Sequence, residues 1–322
     1  MKAIVRLRYG PPEDVLELSD TERPAINDNE VLVRVRAASI NVGDVHAIKG
    51  LPKAMRPVFS AIEAKSHVPG TDIAGTVDSV GRNVTRLRPG DEVFGSCKGG
   101  FAEYAATPED ALALKPANLT FEEASAVGVS AFTALQGLRD HGSLQAGQKV
   151  LVTGASGGVG TFAVQIAKSL GADVTAVCST RNHDMVRSIG ADHVIDYTQA
   201  DFTQSEPKYD LIFDNVGNHS LKRTRRALSP DGVLLANGAP VAGWFGGLGR
   251  PLKATIVSLF VKRQGRAFVS MANKEDLAAL SQLAEAEEIK PVIDRTYPLS
   301  EAAEAIAHVG EGHAQGKTII RM

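Results

Sequence analysis

Over residues 31–36 the chain alternates apolar and charged positions, ending Val33-Arg34-Val35-Arg36. That two-residue period predicts a half-buried strand. A second β-type stretch spans residues 72–80, punctuated by Gly75 and Gly81, and the turn Arg88-Pro89-Gly90-Asp91 precedes a short strand at 92–94. The first 120 residues therefore predict a β-rich barrel with little helix. From Thr120 the pattern changes to alternating strands and helices, as a parallel sheet built from βαβ units requires. Strands are expected at 149–153, 174–178, 193–196, 209–213, 233–236 and 265–271. Helices are expected at 159–170, 182–189 and 219–228. The tail mixes helices at 274–287 and 299–309 with strands at 292–296 and 317–321. The pattern predicts an α/β fold in which a doubly wound parallel sheet is inserted into a β-rich domain completed by C-terminal strands. Residues 241–264 stand apart, glycine-rich at first and then apolar from Ile256 to Val261. A loop entering a buried helix, a substrate lid and a subunit contact all fit that pattern.

Length and composition narrow the classes without changing that architecture. The 322 residues suggest about two domains, and 43% apolar with 22% charged residues is ordinary for a soluble protein. Thirty-five basic against 37 acidic residues leave no basic surplus for a nucleic-acid partner. Two cysteines, Cys97 and Cys178, cannot build a disulfide framework or a four-thiolate zinc site. The first residues lack a signal-peptide core, and no apolar run reaches the ~18 residues of a membrane span. A cytoplasmic protein is expected.

The strongest motif runs from Val150 through Thr153-Gly154-Ala155-Ser156-Gly157-Gly158-Val159-Gly160. An apolar strand enters a glycine turn and an amphipathic helix begins at once, the context of a dinucleotide fingerprint. Glycines let the backbone approach a pyrophosphate, and the N–H groups at the helix start receive its charge. Ser156, Gly157, Gly158 and Val159 are the candidate contacts, Ser156 adding a hydroxyl donor. Nineteen residues after Gly160, where an acidic residue would grip the ribose of NAD, the chain has Ser179, followed by Arg181. Hydroxyls and a guanidinium suit a 2′-phosphate, so NADPH is the expected cofactor. A solvated Arg181 opening the next helix is the other reading. Tyr197, after the strand at 193–196, either adds a phenolic hydrogen bond to the adenosine phosphate or caps its strand.

The chain resembles the zinc-independent quinone oxidoreductase branch of the medium-chain dehydrogenases/reductases. The resemblance rests on residues 38–46, 68–75, 99–104, the phosphate loop and 312–317, all in the family's order and spacing. Residues 178–182 and 291–299 are most similar to the reticulon-interacting oxidoreductases, without the mitochondrial presequence expected of those. The resemblance implies a GroES-like barrel from residues 1–125 and 272–322 around a Rossmann domain at 126–271. It places Val216, Gly238 and the backbone at Phe268 near the nicotinamide half of the cofactor. Lys317 is either a residue reaching back to that site or a solvated lysine. The strand at 265–271 is expected to pair with its copy in a homodimer, covering an open edge.

Departures from the zinc-dependent pattern set the expected chemistry. The ligand positions hold Asn41 and Thr71-Asp72, which do not supply the thiolate and imidazole donors of catalytic zinc. His46 and His67 are read as packing residues. Quinones and α,β-unsaturated carbonyls are already electrophilic, so a metal-free reductase of such acceptors is expected. Asn41 either positions the acceptor or bonds local backbone in a turn. Trp244 either stacks on a flat acceptor or anchors core. The family's proton-relay position falls on Gly43, which leaves water as a proton source. Metal-free aldehyde or ketone reduction is the alternative activity. A non-catalytic NADPH-binding redox sensor or adaptor is the alternative of another class.

Overall fold

The computed structural model describes residues 1–51, 53, 56, 67–204, 208–237 and 268–322. It divides into two units. The first holds described residues of 1–51, 56–132 and 271–322, and the second Lys53 and those of 133–270. The sequence suggested divisions at 125/126 and 271/272.

In the first unit, strands β1 (Lys2–Arg6) and β2 (Leu16–Asp20) form an antiparallel ribbon. A seven-stranded sheet follows, made of β3 (Glu30–Ile40), β4 (Asp72–Val80), β5 (Glu92–Ser96), β6 (Tyr104–Pro108), β7 (Leu112–Leu114), β13 (Ile293–Pro298) and β14 (Lys317–Arg321). Its order is β13-β14-β3-β4-β5-β7, with β6 on β3. The C-terminal strand β14 thus lies antiparallel beside β3. Val31, Val33 and Val35 point into the core with Ile73, Val77 and Ile320, while Arg34 and Arg36 face outward. That is the alternation read from the sequence. Beyond Arg36 it ends, because residues 37–40 are buried on both faces.

The second unit is a parallel sheet of β8 (Lys149–Thr153), β9 (Asp173–Cys178), β10 (His193–Asp196), β11 (Tyr209–Asp214) and β12 (Leu228–Ala236), ordered β10-β9-β8-β11-β12. Its strands are short, nearly continuous apolar runs, as a sheet covered on both faces demands. Leu151, Val177, Ile212 and Leu234 join the core on one side. Chain order reverses direction between β8 and β11, the switch point at which ligands of open α/β sheets collect.

Two expectations change. The helix expected at 219–228 is only Leu221–Thr224 with a 3-10 turn at Arg225–Ala227, because Leu228 already starts β12 opposite Tyr209. Of the strand expected at 265–271, residues 265–267 lie outside the described residues and 268–271 carry no strand. No helix among the described residues is long and apolar enough to cross a membrane.

Candidate functional site

β8 ends at Thr153, and Gly154 turns the chain in the left-handed region at φ +61°. The helix Gly158–Ser169 starts with Gly157 as its N-cap. A Cβ on Gly160 would stand 2.1 Å from the Gly154 carbonyl oxygen, so only glycine lets this first turn lie on the loop. At Gly157 the nearest atom to an added Cβ is 3.5 Å away, leaving room on the face where the helix N–H groups point. Loop and helix start together can receive a pyrophosphate, and Gly157, Gly158 and Val159 all sit in that stretch.

The second-strand end is tied to the same loop. Asn182, only 4% exposed, donates its amide to Ser156 Oγ at 2.8 Å and Ser179 Oγ at 3.3 Å. It closes the 3-10 turn Thr180–Asn182, on which Arg181 is exposed. Ser156, Ser179 and Arg181 are therefore brought together, through a residue that sequence reasoning had not singled out. The available signal was an Asn three residues after Ser179, the spacing at which a side chain folds back on a turn. Tyr197 is 59% exposed and donates its N–H to the Cys178 carbonyl at 3.2 Å, which puts it beside this turn. Asp196 also lies here, but Thr180 and Thr198 occupy its oxygens, and these bonds hold its carboxyl below the usual range.

Beyond β11, Asp214 Oδ1 accepts from Thr153 Oγ1 at 2.6 Å and from Gly217 N–H at 3.0 Å. Asn215 donates to the Thr153 carbonyl at 3.1 Å and accepts from Asn237 at 2.8 Å. This lattice fixes the ends of β8, β11 and β12 and leaves Val216 37% exposed beside Gly154. Phe268 stacks on His141 with ring centroids 4.6 Å apart, and Ser270 bonds Thr133 at 2.8 Å. Gly238 and Trp244 lie outside the described residues.

A second constellation is buried in the first unit. Asn41 precedes the helix Val42–Lys49, and its N–H donates to Asp44 Oδ2 at 2.8 Å, half of a capping box. Its side chain points inward, 8% exposed. Nδ2 donates to Asp72 at 2.8 Å and Thr71 at 3.1 Å, and Oδ1 accepts from Lys317 at 2.6 Å. Lys317, 3% exposed, spends its other two ammonium hydrogens on the Ile40 carbonyl at 3.1 Å and Ser130 Oγ at 3.3 Å. Asn41 and Lys317 are thus joined to each other, and of the readings weighed for Lys317 the solvated one is replaced by full burial. Asp72 accepts from Val129 N–H at 2.9 Å, capping the Phe121–Leu135 helix where it breaks at Gly128. A Cβ on residue 128 would fall 2.2–2.5 Å from that carboxylate.

Burial pushes Asp44 up to about 7, with the neighbouring Asp72 charge adding to the shift. Burial also raises Asp72 and lowers Lys317, the pair partly offsetting both shifts. Between the ordinary carboxylate range and pH 7 the folded chain therefore keeps a proton on Asp44 that the unfolded chain releases. Stability falls as pH rises through that window. Asp44→Asn is expected to flatten this slope, removing a pH dependence on the order of a few kcal/mol. Melting temperature against pH from 4.5 to 8 checks it; a variant with the wild-type slope contradicts it.

The residues here do not fit a zinc ion. The cation of the cluster is an ammonium, and the donors around it are amide, hydroxyl and carboxylate. Nearby Cys97 is a buried thiol, raised far above its usual range by burial and by Asp72 and Asp44. His46 is half-buried and burial favours its neutral form; His67 is exposed.

Comparison with known proteins places this arrangement. Residues 27–117 match the alcohol dehydrogenase GroES-like domain family and residues 189–320 the zinc-binding dehydrogenase family. The mitochondrial NAD(P)H oxidoreductase RTN4IP1 of Bos taurus is 34% identical over 100% of this chain and 89% of its own. The chloroplastic NADPH-dependent alkenal/one oxidoreductase of Arabidopsis thaliana is 33% identical over 99% of this chain and 79% of its own. The quinone oxidoreductase structure from Coxiella burnetii superposes with TM-score 0.88 at 28% identity, covering 100% of this chain and 99% of that one. The chain belongs to the medium-chain dehydrogenase/reductase superfamily, in its quinone oxidoreductase branch.

Proposed function

We propose that this protein is a zinc-independent, NADPH-dependent oxidoreductase that transfers hydride to a quinone or an α,β-unsaturated carbonyl. The observation that carries the reading is the pair of loops joined by Asn182. One presents helix N–H groups for a pyrophosphate, the other presents Ser179 and Arg181 where NAD-specific sites carry an acid. Bound NADPH supplies the hydride. Gly157, Gly158, Val159 and Ser156 hold its diphosphate, and Ser179, Arg181 and Tyr197 take the 2′-phosphate end. Val216 and the Phe268 backbone line the nicotinamide half. An acceptor of this class is already electrophilic, so the chain's part is to orient it, exclude water and stabilise the developing oxyanion. Asn41 positions the acceptor, and Lys317, whose ammonium hydrogens go to Asn41, Ile40 and Ser130, sets the electrostatics around it.

The metal-free reading is supported by the donor set around Asn41. We place the protein in the cytoplasm as a homodimer. Two buried free thiols fit a reducing compartment, and the exposed Val269 and Met271 fit a face covered by a second copy.

Two experiments test this reading. Arg181→Ala is expected to raise the Kd for NADPH by about 10- to 100-fold and that for NADH by less than about twofold. Equal losses for both cofactors would remove the 2′-phosphate assignment. Dialysis against a strong chelator should leave turnover unchanged; activity that returns only on adding zinc contradicts the metal-free chemistry.

A further inference from the structure

On the outward face of the seven-stranded sheet, β3 changes neighbours along one edge. Arg34 is in register with Tyr104 of β6, whereas from Ala37 the partner is β14, beginning with Arg321. The two partner strands do not meet. Glu103 accepts the Val35 N–H at 2.9 Å on one side, and Met322 donates its N–H to the Arg36 carbonyl at 3.1 Å on the other. The gap between them is a cavity of about 270 Å³ walled by Arg23, Arg34, Arg36, Glu103, Tyr104 and Met322 among others.

Its chemistry is cationic. Arg34 and Arg36 are both exposed on either side of the core-facing Val35, Arg36 at a register shift of β3 against β4. Arg23 arrives from outside the sheet, with its guanidinium carbon 3.6 Å from the centroid of the Tyr104 ring, a cation–π contact. Asp78 stands 4.0 Å from Arg23, at the limit of an ion pair. Glu103 puts a side-chain carboxylate in the wall, and its Oε2 accepts the Lys2 N–H at 2.7 Å. Among the described residues no carboxylate lies within 4.0 Å of the Arg34 or Arg36 guanidinium. Arg23, Arg34 and Arg36 therefore line one recess together with the Met1 ammonium, against the carboxylates of Glu103 and Met322.

We propose that this recess binds a small polyvalent phosphate-type anion, on the unit that does not carry the dinucleotide loop. Guanidinium forks pair two donors with two phosphate oxygens, and a tetrahedral anion offers oxygens to several forks at once. The volume lies just under the ~300–1,000 Å³ of pockets that enclose drug-sized ligands, which suits a diphosphate group better than a whole nucleotide.

The test is calorimetric titration of the full chain with inorganic pyrophosphate at ~0.15 M salt, with saturating NADP⁺ present to block the dinucleotide loop. One saturable site is expected. Arg34→Gln combined with Arg36→Gln should weaken it by at least about 30-fold, while Arg88→Gln, exposed elsewhere, should leave it unchanged. Both replaced side chains are exposed, so the melting temperature should hold. If it does not, Arg34→Lys keeps the charge, loses the fork, and should still cost several-fold in affinity. A second titration with ADP identifies the source: equal affinity points to free diphosphate, tighter binding to the phosphate end of a larger molecule. No saturable binding, or binding that survives both arginine replacements, overturns the proposal.

Discussion

Lys317→Met is expected to destabilise the first unit by about 3–5 kcal/mol, a large part of the ~5–15 kcal/mol by which a protein of this kind is stable. Methionine keeps most of the volume, so the loss measures the charge and its bonds rather than a cavity. Without the ammonium, Asp72 stays buried against the Asn41 amide and the Val129 N–H, and Asn41 Oδ1 loses its bond to Lys317. The same change cuts the tie between β14, the Asn41 turn and Ser130, three segments far apart in the chain. Adding Asp72→Asn should recover part of the loss, because the uncompensated carboxylate goes with it. Chemical denaturation of the wild type, both single variants and the double variant gives the coupling directly. A coupling near zero would mean that the ammonium and carboxylate do not support one another.

Gly160→Ala should abolish useful cofactor binding, raising the Kd for NADPH by roughly 100-fold or more, about 2.7 kcal/mol. The methyl group would meet backbone, the Gly154 carbonyl oxygen at 2.1 Å and the Ala155 Cα at 2.7 Å, not a side chain that can swing away. Loop and helix must therefore separate, and the N–H groups that receive the diphosphate move with them. Gly157→Ala is the control, since its Cβ would have its nearest neighbour at 3.5 Å. It should leave the empty protein's melting temperature nearly unchanged, whereas Gly160→Ala lowers it. Fluorescence titration of NADPH reads the affinity. Wild-type binding by Gly160→Ala would mean that the loop is not the diphosphate cradle.

What could be read beforehand divides along local and distant lines. The apolar run of β8, the glycine turn and the amphipathic helix announce themselves because strand, loop and helix follow one another within twenty-one residues. β3 and the tail strand β14 were equally plain as alternating or apolar runs. The buried cluster was not, because its central bond joins Asn41 to Lys317, 276 positions apart. No period or spacing reveals that a lysine near one end of a chain will neutralise an aspartate near the other. Asn41 shows the same limit in miniature. Its place before a helix with Asp44 three residues on is a recognisable capping box, but the inward turn of its amide depends on Thr71, Asp72 and Lys317. The 219–228 region failed for a different reason. Its helical spacing was real, but pairing of Leu228 with Tyr209 claims the backbone first, a tertiary contact overriding a local preference.

The break at Gly128 connects these lessons. Residues 121–135 are apolar enough to run as one helix, yet Asp72 enters at the middle and caps its second half through Val129. A glycine there looks like a weak point in a helix when the sequence is taken alone. In the structure it is the position that makes space for a carboxylate.

The central claim is tested most directly by NADPH and NADH oxidation with metal-stripped protein against a naphthoquinone, a short enone, an enal and a simple ketone. The structure leads us to expect NADPH-selective turnover of the quinone or the conjugated carbonyls and little or none of the ketone. Tight NADPH binding with no turnover of any acceptor, or turnover of the ketone alone, would contradict it.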